Sequence, residues 1–306
     1  MITVESVSKS FSGNPAVDHI SFQAHDQEIL VLLGTSGCGK TTTLKMINRL
    51  IEADSGQILI DGKNIRDQKP EELRMGIGFV MQHSGLFPHY TIRQNIAVVP
   101  ELLRWDRKKT ENRTEELLDK LHLSEEVLSR FPNELSGGQQ QRVGIARALI
   151  ANTSVLLMDE PFGALDNITK ADIHSEFKSL EELKNKTIIL VTHDVQEAFE
   201  LGHRICLMDK GKIIQTGTPK EMLYHPENDF VSDFFAENRL LLEYKIATLR
   251  DVGGFVNSDH LLNEFKFTES TNVWEALQAL SSDYKNTDHY ENLIRAFNEY
   301  RKLQIV

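Results

Sequence analysis

Only two cysteines, Cys38 and Cys206, occur in 306 residues. That is too few for a disulfide framework and points to a reducing, cytosolic compartment. No apolar run reaches the roughly 18 residues that would span a bilayer, so any membrane role is expected through a protein partner. The opening MITVESVSKSF lacks a basic stretch followed by an apolar one, and no secretory leader is expected there. Positive charge is scarce: 34 Lys and Arg stand against 45 Asp and Glu, a formal charge of −11. Binding along a nucleic-acid backbone needs clustered Lys and Arg, so no nucleic-acid partner is expected. Internal repeats and low-complexity segments are missing too. What remains is ordinary globular composition, 40% hydrophobic and 26% charged. The length admits one large α/β domain with an appendage, or two domains.

The early chain reads as short strands around one helix. Ile29-Leu30-Val31-Leu32-Leu33 is a continuous apolar run ending at glycine, the pattern of a strand buried on both faces. Leu44, Ile47 and Leu50 then recur at helical spacing, and Gln57–Ile60 followed by Asp61-Gly62 reads as a strand and a tight turn. Residues 92–150 are helical in pattern, with Leu117, Leu118 and Leu121 on one face. Strands return at 155–158, 187–191, 205–208 and 212–215. Strands alternating with helices predict a parallel sheet covered on both faces, with the helical stretch inserted as a subdomain. A boundary is expected near 237/238. Beyond it, Val273, Ala276, Leu277 and Leu280 share one helical face behind the Asn272/Glu275 capping pattern, and Leu293, Ile294 and Phe297 share another. The tail therefore reads as folded.

Gly34-Thr35-Ser36-Gly37-Cys38-Gly39-Lys40-Thr41 fits G-x-x-x-x-G-K-[ST] between a predicted strand and a predicted helix. Backbone N–H groups of such a loop face phosphate, and glycine lets the chain curl without Cβ clashes. Lys40 is expected on the β and γ phosphates and the Thr41 hydroxyl on Mg²⁺, with Thr42 next in the helix. Cys38 reads as a small residue at a variable loop position. The strand Val155–Met158 runs into Asp159 and Glu160. Asp159 suits a metal held through water; Glu160 suits a general base on an attacking water, or a group that polarises it. Ser136-Gly137-Gly138-Gln139 precedes an amphipathic helix and offers N–H groups and a hydroxyl to an anion, although a plain N-cap has the same signature.

The P-loop, the Leu135–Gln139 sequence LSGGQ and the strand VLLMDE, in that order, resemble the ATP-binding cassette family over roughly residues 1–237. The resemblance implies an α/β P-loop NTPase with an inserted helical signature subdomain at about 90–150 and a small C-terminal α-rich extension, 238–306. It implies ATP and Mg²⁺ as ligands, with Gly34 to Thr42 around the phosphates. It places Phe11 on the adenine, Gln82 on Mg²⁺ and the attacking water, Asp166 in a loop coupling two halves of a dimer, and His193 on the γ-phosphate. Two copies are expected to close head to tail, each ATP lying between one copy's P-loop and the other copy's Ser136, Gly137, Gly138 and Gln139.

Within the family the sequence is most similar to importer ATPases for osmoprotectants such as glycine betaine, carnitine and choline. Gly85–Pro88, Asn95–Pro100, Glu160–Asp166 and His225–Val231 carry that likeness. Such a subunit is expected at the cytoplasmic face of the cell membrane. There it is held by permease subunits, whose contact would fall on Leu86, Phe87 and Tyr90 as an exposed apolar socket, and it serves an extracytoplasmic solute-binding protein. Asn167 stands where proline is usual. Residues 238–306 are too few for the pair of CBS modules that many such ATPases carry, although Thr271–Leu280 resembles the first helix of one. The competing readings are an importer ATPase for another small solute, a soluble cassette ATPase of translation or DNA repair, and a non-catalytic nucleotide sensor.

Overall fold

The computed structural model describes residues 1–82, 85–163, 167–255, 265, 267–281 and 287–304, with the side chains of 167–169, 171, 172 and 175 excepted. The chain forms two compact units, Met1–Thr216 and Gly217–Val306.

The first unit contains two sheets. The strands β1 (Ile2–Phe11), β2 (Asn14–Ala24), β4 (Ser55–Ile60) and β5 (Lys63–Asn64) form an antiparallel sheet in the order β2-β1-β4-β5. This sheet departs from the single parallel sheet expected, and the turns explain it. Phe11 pairs with Asn14 across Ser12-Gly13, and Ile60 with Lys63 across Asp61-Gly62. All four turn residues have φ between 50° and 83°, the geometry of two-residue hairpins, whereas a parallel crossover needs a dozen residues or more.

The second sheet matches the expectation in five of its strands, while its last strand joins the edge across the two-residue Lys210-Gly211 turn. It comprises β3 (Ile29–Gly34), β6 (Ile77–Val80), β7 (Val155–Asp159), β8 (Thr187–Thr192), β9 (Arg204–Asp209) and β10 (Lys212–Gly217) in the order β10-β9-β3-β8-β7-β6. The pairs β6·β7, β7·β8, β8·β3 and β3·β9 are parallel. Every residue of β7 and β8 is buried, as the unbroken apolar runs required.

Register sets up the site. Val191 pairs with Leu32 on one side and with Asp159 on the other, and Val80 is level with Met158. The chains leaving β3, β6, β7 and β8 thus emerge side by side at the carboxyl edge of the sheet, where open α/β sheets bind their ligands. Helix α1 (Lys40–Ile47) follows β3 directly, and a short α2 (Pro70–Met75) precedes β6. The helical subdomain is real: α3 (Ile92–Leu102), α4 (Arg107–Lys120) and α5 (Gly137–Leu149) lie within the predicted span. Beyond β7, α6 (Asn167–Ser179) and α7 (Val195–Leu201) flank β8.

Among the described residues the second unit is helical: α8 (Pro219–Tyr224), α9 (Asp229–Ala236), α10 (Arg239–Ile246), α11 (Leu249–Val252), Val273–Ser281 and Thr287–Gln304. It has its own core, with Val273, Ala276, Leu277, Leu280, Leu293 and Phe297 buried as predicted and Ile294 partly so. The split falls at Thr216/Gly217, ahead of the 237/238 boundary read from the motifs. The reason is local: Arg239 Nη2 donates to Leu223 O at 2.8 Å, tying α8 to α10. Glu243, fully buried, lies 2.9 Å from Arg239 and 2.5 Å from Arg301. A buried carboxylate left without such partners would cost several kcal/mol.

Candidate nucleotide site

Gly34 ends β3 at φ 152° and Gly39 precedes α1 at φ 104°. A Cβ on Gly34 would lie 2.1 Å from Met208 O, and one on Gly39 2.5 Å from Ala16 O. Both positions therefore demand glycine on conformation and on space. The approach of Ala16 also sets the β1–β2 hairpin against the loop. That hairpin carries Phe11 near its tip, half-exposed, with Lys9 Nζ 5.6 Å from its ring centroid. Thr35, Ser36 and Gly37 are exposed at the loop's crest. Lys40 is buried and donates to Gly34 O at 2.8 Å and Thr35 O at 2.9 Å, so its ammonium lies inside the curl. Cys38 is buried beside it, 3.6 Å from Nζ. Burial pushes the Cys38 thiol up despite the nearby cation, which suits an inert packing residue.

The Thr41 hydroxyl donates to Asp159 Oδ1 at 2.8 Å. Burial raises the Asp159 carboxyl above the ordinary range and the charge of Glu160 adds to this, against Thr41, Lys45 and Lys40. A hydroxyl and a carboxylate brought together beside the phosphate loop are the hard oxygen donors Mg²⁺ takes. Among the described residues no group of three His, Cys, Asp or Glu could hold a metal.

Glu160 is where three elements meet. Gln82, two residues past Val80, donates from Nε2 to Glu160 Oε2 at 2.9 Å, and His193 Nδ1, one residue past β8, lies 3.2 Å from Oε1. Register accounts for this: Met158 pairs with both Val80 and Leu190. Glu160 itself has φ 45°, a left-handed conformation that costs a non-glycine residue free energy, while its N–H stays bonded to Val191 O at 2.9 Å. Gln82, Glu160 and His193, far apart in sequence, thus form one cluster.

Ser136, Gly137, Gly138 and Gln139 stand apart from it. Ser136 caps α5: its hydroxyl accepts from Gln139 N–H at 3.3 Å, and Gln139 Oε1 accepts from Ser136 N–H at 3.0 Å. Among the described residues, no hydrogen bond joins these four to the Gly34–Thr41 loop. Asp166 lies outside the described residues.

The apolar socket is partly corrected. Phe87 and Tyr90 are exposed, with ring centroids 5.4 Å apart, but Leu86 is half-buried. The organiser of this loop went unnoticed in the sequence. Asn95, fully buried, accepts from Phe87 N–H at 2.7 Å and donates to the carbonyls of Phe87, Tyr90 and Thr91. A polar residue in the buried stripe of α3, between Ile92 and Ile96, was the available signal. Arg147 adds a bond to Gly85 O at 2.8 Å. Beside it, Met75, Phe79, Val99 and Leu102 line a mostly apolar groove of about 420 Å³.

A family model described as ABC transporter matches residues 17–163. The chain is 52% identical over 242 residues to the glycine betaine/carnitine/choline transport ATP-binding protein OpuCA of Bacillus subtilis (strain 168). The aligned part is 79% of this chain and 64% of that protein, so the chain spans less than two thirds of that relative. It is 44% identical over 277 residues to the glycine betaine uptake system ATP-binding protein YehX of Escherichia coli (strain K12), covering 90% of this chain and 89% of the relative. A solved dimer of the ATP-binding cassette MJ0796 in a post-hydrolysis state, bound to ADP and Pi, superposes with a TM-score of 0.65. That likeness is at 33% identity and covers 71% of this chain and 98% of the other.

Proposed function

Since this chain belongs to the ABC transporter family and has its P-loop NTPase fold, we propose that it is the ATP-hydrolysing subunit of an importer for a quaternary-ammonium osmoprotectant such as glycine betaine, carnitine or choline. The observation that carries the hydrolytic part is the convergence of Gln82 and His193 on the Glu160 carboxylate, on the same sheet edge as the phosphate loop. The similarity to OpuCA and YehX supports the solute class.

In this reading the triphosphate lies in the Gly34–Thr42 loop, the adenine on Phe11, and the Lys40 ammonium turns from the loop carbonyls to the β and γ phosphates. Thr41, Asp159 and Gln82 would hold Mg²⁺, which would neutralise phosphate charge. Glu160 takes a proton from the water as its oxygen bonds to the γ-phosphorus and the bond to the β–γ bridging oxygen breaks, giving ADP and phosphate. Gln82 and His193 hold that carboxylate from two sides, and His193 also reaches the γ-phosphate. A second copy supplies Ser136, Gly137, Gly138 and Gln139, and Asp166 couples the two sites. Closure then depends on γ-phosphate charge, and its loss releases the dimer.

We assign residues 1–237 to this cassette, in keeping with the 242 aligned residues, and 238–306 to a regulatory or dimerisation segment related to a CBS module. Phe87, Tyr90 and the adjoining groove are the surface assigned to the permease, which would hold the subunit at the cytoplasmic face of the membrane; a solute-binding protein would complete the system. Uptake of radiolabelled glycine betaine, carnitine and choline into cells with and without the gene tests the solute. Unchanged uptake of all three overturns the solute class, and loss of phosphate release from Mg·ATP by the purified chain overturns the hydrolytic part.

A further inference from the structure

The hydrolytic reading leaves open what holds His193 at Glu160. The imidazole itself is exposed and packs against little, so its position is inherited from its backbone. Both neighbours of that backbone are fixed by side chains. Asp194 N–H donates to Thr192 Oγ1 at 3.0 Å, and the Thr192 hydroxyl donates to Glu197 Oε2 at 3.1 Å. Asp194 Oδ1 caps α7, accepting from the N–H groups of Gln196 at 2.8 Å and Glu197 at 3.2 Å. Two carboxylates are thereby drawn into one turn, and Glu197 is 1% exposed. Like charges that close, out of water, repel unless a cation joins them.

The cation comes from α6. Lys170 Nζ lies 2.5 Å from Asp194 Oδ2 and 3.2 Å from Glu197 Oε2. Burial pulls its ammonium down, but the two carboxylates more than reverse this, and its pKa stands above the ordinary lysine value. Burial likewise pushes Asp194 up, and Lys170 outweighs it, whereas in the more deeply buried Glu197 burial outweighs Lys170 and the carboxyl stands above the ordinary range. One turn further along α6, His174 Nδ1 lies 2.8 Å from Glu200 Oε2, and its ring meets Phe162 edge-on at 4.8 Å. Phe162 is two residues past Glu160. The same helix thus braces both the turn bearing the histidine and the segment behind the glutamate.

We propose that Lys170 is the positioning residue for His193, clamping Asp194 and Glu197 so that the imidazole stays in reach of Glu160 and the γ-phosphate. The proposal rests on the hydrolytic reading of His193. A merely structural ion pair would affect stability alone; a positioning residue must act through the histidine. Lys170→Met, which keeps the stem and removes the charge, is expected to lower kcat for ATP about tenfold or more, with KM within about twofold. Lys170→Arg is expected to restore most of the loss, because a cation again joins the two carboxylates. The decisive measurement is a double-mutant cycle with His193→Ala, in which Lys170→Met adds less than about twofold. Multiplied losses in the double variant, or a folded Lys170→Met protein with kcat within about twofold of the parent, overturn the proposal. Should Lys170→Met show no cooperative melt, Asp194→Asn keeps the capping oxygen, removes the charge Lys170 binds, and is judged by the same outcomes. Normal turnover by His193→Ala takes down the reading of His193 and the proposal with it. Impaired His193→Ala beside normal Lys170→Met sinks the proposal alone.

Discussion

Two helices of the first unit begin at glycine-rich sequences that the proposed function assigns to phosphate, and they begin differently. Helix α1 starts from Gly39 in the left-handed region with no side-chain cap, so no hydroxyl or carboxylate competes for its leading N–H groups. Helix α5 starts from an extended Ser136 and closes a complete capping box with Gln139. The first terminus is a cradle formed in advance, since its shape is imposed by Gly34, Gly39 and the strand behind them. The second satisfies two of its donors, the N–H groups of Ser136 and Gln139, and leaves those of Gly137 and Gly138 to an anion. Such a terminus suits a contact made late, when a second copy brings a phosphate to it, whereas α1 suits first capture.

The largest test of this division leaves both termini intact. Glu160→Gln keeps the shape of the carboxylate and removes the base, so turnover should fall by about 10²–10⁴ while nucleotide binding persists. With hydrolysis blocked, Mg·ATP should hold a dimer on gel filtration. A normal turnover rate would remove Glu160 from its role, and a bound but monomeric variant would break the idea that α5 engages only across a dimer.

Lys40→Ala comes next. Removing a charged donor from the preformed cradle should weaken nucleotide affinity about 10–100-fold in a fluorescence titration. Ser136→Ala should leave that affinity in the monomer within about twofold, yet slow hydrolysis about tenfold and cost about 1 kcal/mol of stability through the lost cap. Equal losses of affinity in both variants would erase the distinction between the termini.

The same contrast explains what was legible in the sequence. The cradle was, because Ile29–Leu33 and Val155–Met158 are unbroken apolar runs whose motifs lie next to them in the chain. The helical subdomain and the core face Val273–Leu280 were legible from 3.6-residue periodicity. What depends on register was not. Nothing in the spacing of Gln82, Glu160 and His193 says that they touch; that follows from Met158 pairing with Val80 on one side and Leu190 on the other, and only the family resemblance had grouped them. The antiparallel sheet was missed because period-two alternation identifies a strand and leaves its partner open. The half-burial of Leu86 was not legible because the path of its loop is set by Asn95 and Arg147, which bond backbone atoms on either side of it and carry no pattern of their own. The placing of α8 with the second unit likewise involves pairs that carry no pattern, such as Arg239 to Leu223 O and Lys220 to Asp251.

The smallest effect separates function from stability inside the cradle. Burial raises the Asp159 carboxyl, so the folded state holds its proton more tightly than the unfolded chain does. That contribution to stability is present at low pH and is lost as pH rises from the ordinary Asp range through the raised value. Above the raised value the fold therefore carries an ionised, poorly solvated group, a cost that the proposed metal role of Asp159 would explain. Asp159→Asn, which keeps an acceptor for Thr41, should raise Tm by about 2 °C at pH 7 and above. The gain should shrink as melts are repeated toward about pH 4. Mg²⁺-dependent nucleotide affinity should fall in the same variant. A gain in Tm that does not vary with pH would mean that the charge of Asp159 is not what the fold is carrying, and that its strain lies instead in packing around β7.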